Sequence, residues 1–475
     1  MEQLRIRAGG LGIVAGVPTR SMLISYVVGC ALFMSMLDAS IVAAALPEMA
    51  SALNADPLAM SIVITSYLLM LIVTVPASSW LADRCGARNL FLAGIGLFTV
   101  SSLLCGLVSS LSLLVAARLA QGVGAALMAT VGRILVLRST DRSEYVNALS
   151  YLAVPALIAP VIGPPLGGFL IVHGSWRYVF LMNVPIGLLA LIAASVLIKG
   201  GNERRDKPFD RRGFALASIA LACLVFGLES SSRAGSRLLT TLLVVIGMLA
   251  GTAYVLHARR HADPILNLGL FRIPTFFIAV VGGTLCRLSL GAMPFLLMLL
   301  LQIGFGLDAL QAGSIAFATA LGSLMVKFTV GRVVSRFGFR RSLLANSVLC
   351  GVLIVACALL QSSMPHGAIA AALLAIGFFR SLHLTLANTL SYADVPDEAI
   401  GDATSMSTTA QYLAMAAGVS LAVLVMRITA MLNGSEQLGE REIDAALIVI
   451  GVIFAGSSLL FWRLPADAGV NLTPP

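Results

Sequence analysis

The sequence predicts an all-α membrane protein of fourteen spanning helices, and three observations carry that prediction. The 475 residues are 59% hydrophobic and only 11% charged, with a mean hydropathy of +0.97. A soluble domain carries roughly 25% charged residues, so a globule of this length would lack the polar surface to face water. Apolar runs of about 20 residues, the length that crosses a hydrocarbon layer, recur along the whole chain. A short basic segment occurs twice at matching places in two halves.

Taken in order, residues 1–20 are Gly-rich and weakly basic, and they lead into an apolar run too long for a signal-peptide core. No small-residue cleavage site follows, so an uncleaved first span is expected. The spans are placed near 20–46, 58–82, 89–109, 111–137, 146–172, 178–198, 213–229, 237–257, 273–302, 309–334, 341–361, 367–391, 402–432 and 443–463. An even count puts both termini on one side. With that side cytoplasmic, its segments hold 21 of the 31 Lys and Arg residues, the outer loops hold four (Arg177, Arg233, Arg237, Arg441) and the spans hold six. The asymmetry follows the positive-inside rule and predicts cytoplasmic termini in the cell (inner) membrane.

The formal charge of +9 does not imply nucleic acid, because the basic residues sit in short loops and form no continuous stripe. The seven cysteines are scattered without metal-ligand spacing and are expected to pack as small apolar residues. No metal or other cofactor is expected. No nucleophile–base cluster or phosphate-binding glycine loop appears, which argues against an enzyme.

After the sixth span, GGNERRDKPFDRR is the one charge-dense stretch and reads as a solvated cytoplasmic linker. SWLADRCGAR at 79–88 aligns without gaps to GRVVSRFGFR at 331–340, pairing Arg84 with Arg336, Gly86 with Gly338 and Arg88 with Arg340. Two parallel halves are a common transporter build, with the site between them near the midplane. The offset of 252 residues exceeds six helices, and the two spans at 213–257 account for the excess. The expected organisation is a six-helix bundle over 20–198, a linker with two inserted spans over 199–260, and a second six-helix bundle over 273–463.

Six basic residues lie inside apolar runs: Arg118, Arg133, Arg287, Lys327, Arg380 and Arg427, against one acid, Asp38. Each costs about 2.5–3.5 kcal/mol at a span centre on the insertion scale, so such charges pair, bind something or move protons. Asp38 lies eight residues from the outer end of its span and Arg118 seven from the outer end of the fourth, roughly 12 and 10 Å deep at helical rise. Equal depth predicts a pair. Arg427 is close enough to an outer end to snorkel. Arg133 and Lys327 lie near inner ends and could do the same or face a cavity. Arg287 and Arg380 are near mid-span and must face the bundle interior or a cavity. His383 and Asn388 continue a polar row from Arg380, His383 being either a packing residue or a proton relay. Thr404, Thr408 and Gln411 form another row on the thirteenth span.

Three segments carry a family resemblance. SWLADRCGAR resembles the loop motif of the major facilitator superfamily, with Asp83, Arg84, Gly86 and Arg88 in place and Ser79 where the family usually has Gly. APVIGPPLGG at 159–168 resembles the antiporter motif of its drug exporters: Gly163, Pro164, Gly167 and Gly168 match, and Ala159 replaces a Gly. Glycines four apart admit close helix approach and proline bends a helix. LDASIVAAALP at 37–47 and WRYVFLMNVPIG at 176–187 are similar to motifs of the fourteen-helix drug:proton antiporters, with Ala43 replacing the usual Asn.

The resemblance covers essentially the whole chain. It implies the major facilitator fold, two six-helix bundles plus two extra helices, and proton-coupled export by alternating access, without an ATP-binding domain and as a monomer. The Arg of R-L-x-Q-G, here Arg118 with Gln121 and Gly122, is associated in the family with proton coupling. Asp38 is then the expected proton carrier, with Arg118 setting its proton affinity. Arg287, Arg380, Lys327, Arg133, His383 and Gln411 are the expected substrate contacts. At an effective ε of about 20, two like charges 6 Å apart repel by roughly 3 kcal/mol, so a cationic cavity would reject a lipophilic cation. It would attract a carboxylate, which Arg grips in bidentate fashion. An anionic or zwitterionic solute, such as an organic acid or its metal chelate, is therefore expected. Multidrug efflux of lipophilic neutral or cationic compounds is the alternative, and a proton-coupled uptake symporter the second.

Overall fold

The computed structural model describes residues 20–140, 145–198, 209–231, 237–261, 264–396, 399–434, 438–465 and 468–469. Among them all regular structure is helical. The helices are α1 (Arg20–Ala52), α2 (Ser61–Cys85), α3 (Ala87–Leu107), α4 (Leu111–Arg138), α5 (Tyr145–Val172), α6 (Tyr178–Leu181), α7 (Asn183–Leu197), α8 (Arg211–Ser231) and α9 (Arg237–Ala258). They continue as α10 (Pro274–Leu299), α11 (Ala309–Ala356), α12 (His366–Leu390), α13 (Ile400–Asn433), α14 (Glu440–Gly456) and α15 (Ser458–Phe461).

Among the described residues, eleven helical stretches are long and apolar enough to cross a membrane. The stretch through α11 holds two of the expected spans, and α5 and α8 occupy the places of the fifth and seventh, so the fourteen spans are accounted for. Three boundaries differ from the sequence reading. α1 runs six residues past the expected end because its helix continues through Pro47, which merely omits one ladder donor. The sixth span is divided at Met182, where Pro185 cannot donate to the carbonyl of Leu181. α10 closes in a π-helical turn, Leu300–Gly304.

The repeat seen in sequence is a repeat in geometry. Gly86 turns the chain between α2 and α3 at φ 85°, and Gly338 turns it between the two spans of α11 at φ 70°. Glycine enters this region without a Cβ penalty. Arg88 donates from Nε and Nη2 to the carbonyls of Ile198 and Ser195 at the end of α7. Its counterpart Arg340 donates from Nη2 to the carbonyl of Trp462, just after α15. Each arginine holds the last helix of its own half.

The halves, α1–α7 and α10–α15, meet where α5 packs on α11 and α2 on α13. α8 and α9 pair with each other, and α8 also leans on α2 and α13. Leu238, Leu239, Leu242, Val245, Met248 and Leu249 of α9 are exposed. Such an apolar surface suits a helix bathed in lipid. One apolar cluster runs continuously from Leu37, Ile41, Leu46 and Trp176 of the first half into Phe295, Leu299 and Ile315 of the second. It joins the halves on the side opposite the Gly86 and Gly338 turns.

Candidate transport site

Asp38 projects from α1 into the first half with its side chain sealed from solvent. Its Oδ2 accepts from Arg118 Nη1 at 2.5 Å. Its Oδ1 accepts from Gln121 Nε2 at 3.0 Å and Asn183 Nδ2 at 3.1 Å. Arg118 is equally buried; it donates from Nε to the carbonyl of Val63 (3.1 Å) and from Nη1 to Gln121 Oε1 (2.7 Å). Its guanidinium lies 4.4 Å from the centre of the Tyr67 ring and 5.8 Å from that of Phe180, within the range of cation–π attraction. Ser102 Oγ closes the network by accepting from both amides. A buried ion pair survives its desolvation cost only when further hydrogen bonds fill the remaining lone pairs, and here both carboxylate oxygens are bonded. The structure thus brings Asp38 and Arg118 together.

Asn183 and Ser102 were not expected here. Asn183 is the first residue of α7, at the break in the sixth span. The signal was an amide inside the segment 176–187, beside a proline that interrupts the helix.

On another face of α1 a cavity of about 120 Å³ lies between the halves. Ser40 and Ala43 of α1, Pro160 and Pro164 of α5, Pro294 of α10 and Thr319 of α11 are among its walls. Arg380 of α12 is its one charged lining residue among those described, and Arg380 Nη1 has no hydrogen-bond partner.

The other expected substrate contacts are dispersed. Arg287 is wholly buried between helices and donates from Nη2 to Asn388 Oδ1 and Ser407 Oγ, while its Nε and Nη1 have no partner among the described residues. His383 is also fully buried. Its Nε2 lies 3.0 Å from Cys286 Sγ, and its ring meets the edges or faces of Phe454 and Phe461. Its Nδ1 has no hydrogen-bond partner among the described residues. Arg133 and Lys327 are exposed on their helices, consistent with long side chains near span ends, and Gln411 is half-buried. None of these five lines the cavity. Arg427, expected to snorkel, instead pairs with Asp56 in the loop after α1 at 2.5 Å, because the halves meet there.

The conformational motifs lie where helices approach closely. A Cβ on Gly163 would strike Ser40 of α1, one on Gly167 would press on Ile41, and one on Gly168 would strike the backbone of Ala309 in α11. Reciprocally, a Cβ on Gly313 of α11 would strike the carbonyl of Pro164. In the loop motif Arg84 sits over Trp80 at 5.6 Å, and Arg336 over Phe337 at the same distance. Asp83 is half-buried beside them. Polar links that cross between the halves among the described residues include Gln302 Nε2 to the carbonyl of Ala44 (3.0 Å) and Arg427 to Asp56. Both lie on the side away from the loop motif.

Comparison with known proteins agrees with this architecture. A family model described as Major Facilitator Superfamily matches residues 28–419. The "Putative multidrug resistance protein MdtD" of Pectobacterium carotovorum subsp. carotovorum (strain PC1) is 35% identical over 453 residues, covering 95% of this chain and 97% of that relative. The protein of the same name from Escherichia coli O17:K52:H18 (strain UMN026 / ExPEC) is 36% identical over 453 residues, with 94% and 95% covered. Among solved structures, a POT family transporter in complex with 5-aminolevulinic acid superposes with a TM-score of 0.69 at 15% identity, covering 94% of this chain and 96% of that one. The nucleoside transporter NupG gives 0.62 at 12%, covering 96% and 100%. These two speak for the fold alone. Fold, repeated loop motif and the full-length relatives converge: this chain is a multi-pass membrane transporter belonging to the Major Facilitator Superfamily.

Proposed function

We propose that the protein is a proton-coupled antiporter that exports small molecules across the cell membrane, with the loop-motif side and both termini cytoplasmic. Asp38 carries the coupling proton and Arg118 sets its affinity. A carboxylate that can be neutralised next to a fixed cation changes the charge of the pair, and opening the bundle to water changes what that charge costs. The halves 20–198 and 273–463 rock as units in a monomer, with 199–260 as an insert. In this orientation the crossing links seal the outer side, so the arrangement is the inward-facing one.

The cargo we favour is an anionic or carboxylate-bearing solute, or its metal chelate. The observation that supports this is Arg380, which brings a guanidinium with an unused donor to the wall of the central cavity where no carboxylate answers it. Apolar walls contributed by Leu297, Met298, Ala316 and Ala320 also suit a lipophilic compound, which keeps multidrug efflux as the second reading. The names of the MdtD relatives point the same way.

The test is counterflow in proteoliposomes with dicarboxylates, tricarboxylates and lipophilic cations, repeated with Arg380→Ala and Arg380→Lys. Carboxylate exchange that is lost in Arg380→Ala and partly kept in Arg380→Lys supports the reading. Exchange of lipophilic cations that is unchanged in both variants, without carboxylate exchange, overturns it in favour of the second.

A further inference from the structure

Away from the transport pathway, three metal-ligating side chains converge where the inserted helix pair begins and ends. Asp210 immediately precedes α8, and His257 and His261 lie at the end of α9. One ligand atom from each comes within 4.8 Å of the others. Backbone N–H of His261 bonds to the carbonyl of His257 at 3.0 Å. The helical turn therefore continues through His261, and the i, i+4 spacing sets both imidazoles on one face. Their rings are 5.1 Å apart between centroids.

Part of this arrangement has an ordinary explanation. Asp210 Oδ1 accepts from the backbone N–H of Gly213 at 2.8 Å, which caps α8, and lies 2.7 Å from His257 Nε2. A cap with one ion pair would need no more. Two features exceed it. Asp210 is only 6% exposed, yet its Oδ2 is buried without a hydrogen-bond partner among the described residues. An unmet carboxylate oxygen carries a real desolvation cost. His261 adds a second imidazole to an aspartate that already has one.

We propose that Asp210, His257 and His261 form a binding site for a late first-row divalent transition metal ion, with zinc as the reference ion. Two imidazoles and one carboxylate are a set that suits Zn²⁺, leaving a fourth tetrahedral position for water. Bonds of about 2.0–2.1 Å place tetrahedral ligands about 3.3 Å apart, so donors now within 4.8 Å of one another need to close by at most about 1.5 Å, while Asp210 Oδ1 and His257 Nε2, 2.7 Å apart, open slightly. His261 is exposed and free to swing that far. Arg211, Arg212, Arg259 and Arg260 are all exposed, and their repulsion of a cation is screened by water and salt. Calcium and magnesium, which prefer all-oxygen shells, do not fit the donor set.

The site would join the start of α8 to the end of α9. Phe209, the residue before Asp210, stacks on Trp80 of α2 with centroids 4.4 Å apart. A bound ion therefore fixes the inserted pair against the helix that carries the loop motif.

The experiment uses the full chain, purified with its affinity tag removed, and titrates Zn²⁺ against a chromophoric chelator, with Co²⁺ as a spectroscopic probe. We expect one Zn²⁺ per chain and a Co²⁺ spectrum of tetrahedral d–d bands without a thiolate charge-transfer band. His261→Ala, an exposed substitution that leaves the fold intact, should weaken binding at least about 10-fold and abolish the bands. The ion should also raise the unfolding temperature of the wild type but not of His261→Ala. Binding unchanged in His261→Ala, a thiolate band, or no binding by the wild type would each overturn the assignment.

Discussion

Asp38 and Ser40 stand two residues apart on α1 and face different parts of the protein. Two residues turn a helix by about 200°. Asp38 accordingly points into the sealed network with Arg118, Gln121 and Asn183, while Ser40 lines the cavity between the halves. Ser40 is also the residue a Cβ on Gly163 would strike. A single helix thus borders the buried ion pair, the cavity and the glycine–proline motif of α5. Rotation or bending of α1 when Asp38 changes charge would reach both of the others without any cargo touching the carboxylate.

Replacing Asp38 by Asn removes the charge while keeping the shape, and leaves Arg118 buried without its counter-ion. Breaking a buried pair in this way costs about 3–5 kcal/mol. The variant should unfold at a lower temperature yet remain folded at 25 °C. In proteoliposomes, flux driven by a pH gradient should vanish, while counterflow without a gradient persists. Retained gradient-driven flux would remove Asp38 from the coupling role.

The proposed outer seal should be easy to break and easy to lock. Arg427 and Asp56 are both partly exposed, and an exposed ion pair contributes about 0–1 kcal/mol. Arg427→Ala should therefore change transport rates by no more than about 5-fold. By contrast, a short bis-thiol reagent joining Asp56→Cys to Arg427→Cys, with the seven native cysteines replaced, should stop transport. Cleaving the linker should restore it, as measured by solute exchange before and after cleavage.

Gly313→Leu places a branched side chain against the carbonyl of Pro164. The α5–α11 approach cannot close around it. The expected result is normal expression, loss of transport, and faster thiol labelling of a cysteine at position 40 from the outer side. Slower or unchanged labelling would show that this contact does not form the seal.

Arg88→Ala and Arg340→Ala should behave alike. Each removes a charged donor from helix-end carbonyls, and such bonds contribute about 1.5–3 kcal/mol. Similar drops in unfolding temperature are expected, Arg88→Ala somewhat larger because it loses two bonds. If only one of the pair matters, the structural equivalence of the halves does not extend to their stability.

Much of this was legible in the chain. The spans follow from run length, the halves from the matched Gly86 and Gly338 segments, and the Asp38–Arg118 pair from equal depth. What the sequence could not give is how each helix is rotated. In a soluble helix an apolar stripe marks the buried face, but here lipid and core are both apolar and the stripe disappears. Depth along the span did separate Arg287, wholly buried, from Lys327, exposed, but Arg287 and Arg380 read alike although only Arg380 lines the cavity. Asn183 left only the faint signal of an amide beside a proline, and Ser102, a small neutral residue in an apolar run, left none. The trio of Asp210, His257 and His261 was missed because its members flank different spans, and the charged stretch before α8 reads as a plain connector.

The two arginine contacts at Ile198 and Trp462 have one more consequence. By tying an early loop to the final helix, each closes a ring among the described helices of its half. A ring of helices resists internal shear, so strain arising at Asp38 has little room to dissipate inside the first half. It is passed instead to the borders with the second half, where α5 meets α11 and α2 meets α13. Under the coupling proposed above, energy released by a proton at Asp38 would be delivered to those borders because the bundle around it is laced shut.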